Sequence, residues 1–184
     1  MSTDLSATTG TWNIDPTHTV IGFTVRHAMV AKVRGRFNEF SGSFTLDGAN
    51  PANSKAEITI QTASFDTQNA DRDAHVKSAD FLDVENFPTM TFTSTSVAAK
   101  SDTTFVVTGD LTIRGTTKSV PVTFELLGTS KDPWGGTRIG FEGEGEINRK
   151  EFNLTWNVAL ETGGVLVSEN VKLTLDVEAV KQEG

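Results

Sequence analysis

The sequence has no cysteine and no tyrosine, and only three histidines among its 184 residues. The lack of cysteine excludes disulfides, thiolate metal ligands and thiol chemistry. The aromatic residues are twelve Phe and three Trp. Because Phe carries no polar group, an interior built from it offers few hydrogen-bonding partners. The composition therefore predicts an apolar interior in a chain that folds without covalent cross-links.

Positive charge is also scarce, with 16 Lys and Arg against 24 Asp and Glu and a formal net charge of −8. This balance disfavours nucleic acid and anionic membrane surfaces as non-specific partners. The apolar runs are far shorter than the roughly 20 residues of a membrane-spanning helix, so no stable membrane insertion is expected. The first ten residues lack the basic and apolar regions of a secretion signal, which predicts a cytoplasmic location unless the N-terminus has been processed or replaced.

Signals for catalysis and metal binding are missing as well. His18 and His27 fall on opposite faces of one predicted strand, about 30 Å apart, and cannot share a metal. The residues around His75 do not form a metal-binding motif such as His-Glu-x-x-His. The chain has neither a Gly-x-Ser-x-Gly motif nor a phosphate-binding glycine loop. We therefore predict no catalytic residue, no metal and no cofactor.

The feature that is abundant is alternation of apolar and polar residues. Between His18 and His27, the residues Ile21, Phe23 and Val25 fall on one face, as in a strand with one buried side. Similar alternation recurs along the chain and predicts about eight or nine strands joined by short turns. An antiparallel, meandering arrangement of this kind favours a closed barrel over a two-layer sandwich.

Four local departures from this pattern are predicted. Residues 1–10 are polar and small, which indicates a flexible tail before a single domain over 11–181. Residues 66–84 or thereabouts form a helical insertion, with a capping residue and early acidic residues. Phe37 is out of phase with the strand that follows, which predicts a bulge near Asn38. A basic loop is expected from Ala28 to Arg34.

The basic residues around this loop allow two interpretations. They are Arg26, His27, Lys32, Arg34 and Arg36, and the group can be extended to Arg149 and Lys150. The first interpretation is an ordinary solvated loop. The second is a polar rim that receives the head of a long apolar ligand.

The barrel interior also allows two interpretations. Barrels of eight strands are either filled by side chains or hold one small ligand. Gly143 and Gly145 occupy consecutive inward positions, and Gly109 and Gly42 lie inward on other strands, which favours open space. Glycines that only relieve strand curvature would give the same pattern, so both a cavity and a filled core remain open.

Several motifs, in order along residues 11–181, resemble the YceI-like family. They are Trp12-Asn-Ile-Asp15, Pro16-x-His18, Gly35-x-Phe37, Phe40-x-Gly42, Arg72-Asp-x-His75, Gly109-x-Leu111-x-Ile113-x-Gly115 and Arg149-x-x-Phe152. The resemblance implies an all-β fold, an eight-stranded antiparallel lipocalin-like barrel with one helical insertion. It also implies an apolar pore that binds a polyisoprenoid or a similar long-chain amphiphile, with no catalytic residues.

The resulting hypothesis is non-catalytic binding and carriage of a polyisoprenoid, an isoprenoid quinone or a fatty-acid-like lipid. His27, together with a basic rim residue such as Arg34, would meet the head group. The expected pore lining is Phe23, Val25, Phe44, Ile60, Met90, Phe92, Leu111, Phe124, Phe141 and Trp156.

Two alternatives are kept. A small-molecule enzyme or sensor would use the same pocket with His27 as its polar group, and the enzyme would require an inward partner for that ring. An interaction module would use an outer face and contain no internal void. A homodimer is compatible with any of the three.

Overall fold

The computed structural model describes residues 5–157 and 166–182. Within them the chain forms one α-helix, α1 (Ala70–Lys77), and short 3₁₀ turns at Leu5–Thr8, Pro51–Asn53, Thr62–Ser64 and Arg149–Phe152. The described strands are β1 (Gly10–Ile14), β2 (Val20–His27), β3 (Ala31–Phe37), β4 (Phe40–Leu46), β5 (Lys55–Gln61), β6 (Phe65–Asp66), β7 (Thr89–Ala99), β8 (Thr104–Ile113), β9 (Thr116–Lys131), β10 (Thr137–Asn148) and β11 (Asn170–Lys181).

The strands close into an eight-stranded antiparallel barrel. Around the ring the order is β1, β4, β5, β7, β8, β9, β10 and β11, and β11 pairs with β1 to complete the circle. Strand β2 pairs with the first half of β11, while β1 pairs with its end. β1 and β2 are therefore two halves of one kinked strand, as are β3 and β4. The predicted all-β barrel with one helical insertion is confirmed.

The predicted irregularity near Asn38 is a break between two strands. Residues 38 and 39 separate β3 from β4, and this bend lets β3 pair with β2 while β4 pairs with β1 and β5. The out-of-phase Phe37 thus marks a corner of the barrel wall. It is buried at that corner, 8% exposed.

The predicted basic loop over Ala28–Arg34 is wrong for most of its length. Strand β3 already begins at Ala31, so the connection is a tight turn over residues 28–30. Ala28 and Met29 have φ of 52° and 65°, the left-handed region that tight hairpin turns require. The turn was missed because neither residue is the Gly, Asn or Asp that normally marks such turns.

Ordered structure begins inside the stretch expected to be a tail. Thr8, in the first 3₁₀ turn, is buried, and its carbonyl oxygen accepts a 2.8 Å hydrogen bond from the Trp12 indole nitrogen. Trp12 itself is fully buried. Residues 1–4, the remainder of the expected tail, lie outside the described residues.

Helix α1 covers one end of the barrel. Its cap is Asn69, whose side-chain oxygen accepts a hydrogen bond from the Arg72 backbone, and Asp71 and Asp73 lie in its first turn. The turns that follow bury Phe81 and Leu82. The helix is only eight residues long, and no helix in residues 5–157 and 166–182 has the length and apolar character needed to cross a membrane.

Candidate functional site

The interior of the barrel contains a cavity of about 860 Å³. Its lining extends from Leu5, Leu46 and Pro51 at one end to His27 and His75 at the other. Cavities that hold small organic ligands usually measure about 300–1,000 Å³, so this one lies toward the upper end of that range. Of the two interpretations of the interior, the structure therefore supports a cavity.

The cavity is walled mainly by apolar side chains that point inward yet remain only partly buried. Phe23, Phe92, Phe124 and Phe141 are all in this class, although strand alternation directs them to the inside. A side chain on the inner face of a closed barrel stays accessible only if there is space in front of it. Fully buried residues such as Trp12 and Ile139 belong to the packed wall around that space.

Nearly all of the side chains proposed as pore lining border this one cavity. Residues from seven different strands and from the segment after β10 are brought together there, although they are scattered over more than 130 positions of sequence. Direct contact of these side chains with a ligand remains a prediction. The residues concerned are Phe23, Val25, His27, Phe44, Ile60, Met90, Phe92, Leu111, Phe124, Phe141 and Trp156.

Arg34 is the exception and lies outside the cavity. Its partner across the β2–β3 pair is Thr24, whereas the next pair, Val25 and Val33, borders the cavity. Because side chains alternate along a strand, Arg34 points to the outer surface. The expectation that it lines the head-group end of the pore is therefore wrong. It followed from placing Arg34 in a loop rather than in a strand.

His27 ends strand β2 at the mouth of the cavity, where its side chain is exposed. Among the described residues, no side chain forms a hydrogen bond or an ion pair with its ring. The enzyme hypothesis required an inward partner for this ring, and the described part of the chain does not supply one.

His18, by contrast, is part of a polar cluster on the outer wall. Its Nδ1 lies 2.8 Å from the Asp15 carboxylate and 3.1 Å from that of Glu178. Arg138 donates to the same two carboxylates at 2.9 and 3.0 Å. The hydrogen bond to His18 is the main cause of an Asp15 pKa well below its usual range, and the same bond raises the pKa of His18.

This cluster supports the predicted structural role of His18. Asp15, His18 and Glu178 have the spacing of a metal-binding group, but Arg138 already pairs with both carboxylates. The sequence could not reveal the cluster, since Glu178 is 160 positions from His18 and meets it only through barrel closure.

Three polar residues at the α1 end border the cavity, of which Arg72 and His75 were not predicted as site residues and Arg149 was only an extension of the predicted basic rim. Arg72 donates to the Thr67 side chain and backbone oxygens. The His75 ring lies 2.9 Å from the Asp80 carboxylate and 4.5 Å from the Trp156 ring centroid. Arg149, the third, is only 3% exposed.

Arg149 holds several segments of chain together at this end. Its guanidinium donates to the carbonyl oxygens of Ser168 and Val167 on one side and to those of Leu154 and Trp156 on the other. Burial lowers the pKa of Arg149, yet a guanidinium remains protonated at neutral pH. Its place in the Arg149-x-x-Phe152 motif and its positive charge were the sequence signals for it, and neither predicted these contacts with carbonyl oxygens.

The site therefore combines a long apolar interior with a cationic, hydrogen-bonding end. Apolar walls bind hydrocarbon without regard to direction, whereas a few polar groups at one end can orient an amphiphile. This is the chemistry of a binding site for a molecule with an extended apolar part and a polar terminus.

Comparison with known proteins agrees with this architecture. The model of the YceI-like domain matches residues 12–179. Protein YceI from Salmonella newport is 43% identical over 166 residues, which cover 90% of this chain and 83% of the relative, and the protein of the same name from Salmonella arizonae gives the same figures.

Solved structures give the same result. BcnA from Burkholderia cenocepacia superposes with a TM-score of 0.77 at 25% identity, covering 90% of this chain and 98% of BcnA. The YceI protein of Campylobacter jejuni gives 0.74 at 31% identity, with coverage of 86% and 90%. A domain from Saccharophagus degradans described as polyisoprenoid-binding shares the fold at a TM-score of 0.70 and 15% identity, with coverage of 93% and 98%. By its family model and its close relatives, the chain belongs to the YceI-like domain family.

Proposed function

We propose that this protein binds and carries a long-chain amphiphile of the polyisoprenoid class and performs no chemistry on it. The observation that carries the proposal is the 860 Å³ cavity with its apolar wall. The Saccharophagus degradans domain that shares this barrel is described as polyisoprenoid-binding, which supports the isoprenoid class of ligand.

Hydrophobic burial supplies the affinity in this proposal. Burying ten methylene groups contributes roughly 8 kcal/mol before the costs of association and chain ordering. The Phe141 ring contacts the rings of Phe44 and Phe124 edge to face, with centroids 5.8 and 6.3 Å apart, so the three rings form an aromatic surface for the chain. No specific polar contact is needed for retention.

The polar head is proposed to lie at the α1 end. Arg72, His75 and Arg149 border the cavity there together with one carboxylate, that of Asp71, and His27 stands at the mouth. The lining at the opposite end includes Asp47 and Glu57 beside a single Lys55. An anionic or hydrogen-bond-accepting head group is therefore favoured at the α1 end of the cavity and disfavoured at the opposite end.

Organic extraction of the purified protein followed by mass spectrometry tests this function. We expect recovery of one class of long-chain lipid from the wild type and its loss from Phe141→Asp, because a carboxylate placed in the apolar interior cannot be solvated beside a hydrocarbon chain. Leu127→Asp is the matched control, since Leu127 is 60% exposed on the neighbouring strand β9.

Circular dichroism would establish that each variant is folded. A folded Phe141→Asp protein that retains the lipid would contradict the proposed lining. Should Phe141→Asp not fold, displacement of a fluorescent fatty acid by a polyisoprenol from the wild type provides the second measurement. No displacement from lipid-stripped protein would exclude an isoprenoid site in the cavity.

A further inference from the structure

The β2–β3 hairpin carries an exposed apolar tip. Met29 is 54% and Val30 is 84% exposed. The turn is held by hydrogen bonds from the Val30 nitrogen to the His27 oxygen and from the Ala28 nitrogen to the Leu166 oxygen, at 3.1 and 2.7 Å. A single exposed apolar residue is ordinary, so the surroundings of this pair decide its meaning.

The surroundings are basic. Arg26 and Lys32 face each other across the hairpin just below the tip, and Arg34 and Lys172 continue the row along an outer groove of about 530 Å³. None of these four cations forms an ion pair with another described residue. The acidic residues in the groove are Glu146 and Glu169, and the carboxylate of Glu169 is already paired with Lys150 at 2.7 Å.

This local charge opposes that of the whole molecule, which is −8. Exposed charges farther apart than about 8–10 Å are largely screened at physiological ionic strength. A surface that approaches the hairpin therefore interacts mainly with the positive charges of the basic groove, and the net negative charge of the whole molecule has little effect there.

The hairpin is also beside the mouth of the cavity. Val25, His27, Ala31 and Val33, on the two strands that lead to the tip, all border the cavity. An apolar tip above a row of basic residues is the pattern of a segment that inserts shallowly into a bilayer while its cations meet anionic head groups.

We propose that the tip of the β2–β3 hairpin, with its basic groove, docks the protein onto an anionic lipid bilayer and brings the cavity mouth to the membrane surface. The purpose of this docking, exchange of a lipid between bilayer and cavity, rests on the proposed function. The docking itself depends only on the hairpin and can be measured separately.

Co-sedimentation with vesicles tests the proposal. The wild type is expected to bind vesicles of phosphatidylcholine mixed with phosphatidylglycerol, and to bind pure phosphatidylcholine vesicles or high-salt samples much more weakly. We expect Met29→Ser with Val30→Ser to weaken binding about tenfold, and Arg26→Gln with Lys32→Gln to weaken it by a similar factor.

Trp134→Ser is the matched control. Trp134 is 85% exposed on the β9–β10 hairpin at the opposite end of the barrel, where Arg138 is already paired with Asp132. Binding by this variant should equal that of the wild type. The proposal would be overturned if the Met29–Val30 variant bound vesicles as tightly as the wild type. It would also be overturned if Trp134→Ser weakened binding as much as the Met29–Val30 substitutions do.

Two further outcomes separate this proposal from others. Binding to heparin beads but not to the mixed vesicles would indicate a soluble polyanion as the partner and overturn membrane docking. The Met29–Val30 variant should still yield lipid on extraction, because neither side chain borders the cavity. If the wild type binds vesicles but yields no lipid on extraction, the proposed lipid cargo is wrong and the proposed membrane docking is still supported.

Discussion

At the scale of single residues, three cavity-lining phenylalanines lie flat against glycines. A Cβ atom added to Gly35, Gly109 or Gly143 would come within 2.4–2.6 Å of a ring atom of Phe23, Phe92 or Phe124, respectively. Gly109 and Gly143 therefore do not themselves leave the open space that their inward positions favoured, because the rings of Phe92 and Phe124 occupy it. They allow the aromatic rings to fold onto the wall, and the cavity is what remains in front of the rings.

This arrangement predicts that Gly143→Ala narrows the cavity. The new methyl group would displace the Phe124 ring, whose nearest atom is 2.6 Å away, toward the interior. We expect several-fold weaker binding of a long-chain lipid. The steric conflict should also lower the free energy of unfolding by about 1–3 kcal/mol. Lipid titration and urea denaturation measure the two effects.

Gly140→Ala on the same strand is the control for this experiment. The nearest atom to its added Cβ would be the Leu127 Cβ at 3.8 Å, an ordinary contact. Unchanged lipid binding is expected for this variant. Unchanged binding in both variants would show that ring placement does not set the size of the cavity.

The outer cluster around His18 predicts a defined pH dependence of stability. The pKa of His18 is raised in the folded protein, so its contribution is complete below the ordinary value of about 6.5 and is lost as pH rises through the folded pKa. Asp15 acts in the opposite sense. Its contribution is present above the ordinary value of about 3.9 and is lost as pH falls toward the lowered folded pKa.

Urea denaturation of the wild type and His18→Gln at several pH values tests this. The difference in free energy of unfolding between the two proteins should be largest between about pH 4 and 6.5 and should shrink as the pH rises through the raised pKa of His18. A difference that does not vary with pH would mean that the imidazolium contributes nothing through these carboxylates.

At the scale of secondary-structure elements, the end of the barrel under α1 depends on one buried side chain. The Arg149 guanidinium connects the 3₁₀ turn after β10 to the segments at 154–156 and 166–168. Phe152 in the same turn is fully buried. Irregular backbone can be retained at this end because its carbonyl oxygens have a hydrogen-bond donor.

We therefore expect Arg149→Lys to destabilise the protein by roughly 3 kcal/mol, since an ammonium cannot reach all four carbonyl oxygens with the fork geometry of a guanidinium. Lys150→Gln is the control, because Lys150 is exposed and its ion pair with Glu169 contributes at most about 1 kcal/mol. Thermal denaturation measures both. Similar melting temperatures for Arg149→Lys and wild type would show that the bonds are not required.

At the scale of the whole molecule, ligand loading and stability should be coupled. A lipid that binds the folded barrel and not the unfolded chain adds about 2.7 kcal/mol of stability at one hundred times its Kd. For a chain of this length, that corresponds to an increase in Tm of roughly 5–10 °C.

Calorimetry of protein before and after organic extraction tests this coupling. Adding back the extracted lipid should restore the higher Tm, whereas a short-chain analogue at the same concentration should not. Identical melting of loaded and extracted protein would argue against a ligand held inside the barrel.

The barrel, the helical insertion and most of the inward side chains could be predicted from the amino-acid sequence. Alternation with a period of two follows directly from strand geometry, so Phe92, Phe124 and Phe141 were assignable to the interior without coordinates. The same rule failed at Arg34, because a tight turn without glycine hid where β3 begins.

The contents of the interior and the contacts between distant polar groups could not be predicted, because they depend on tertiary packing. The cavity depends on how rings such as Phe124 fold onto glycines of neighbouring strands, and periodicity carries no information on that. The contacts of His18 with Glu178 and of Arg149 with residues near 167 require the closure of the barrel. Such contacts arise from the packing of distant segments, which a local pattern along the chain does not encode.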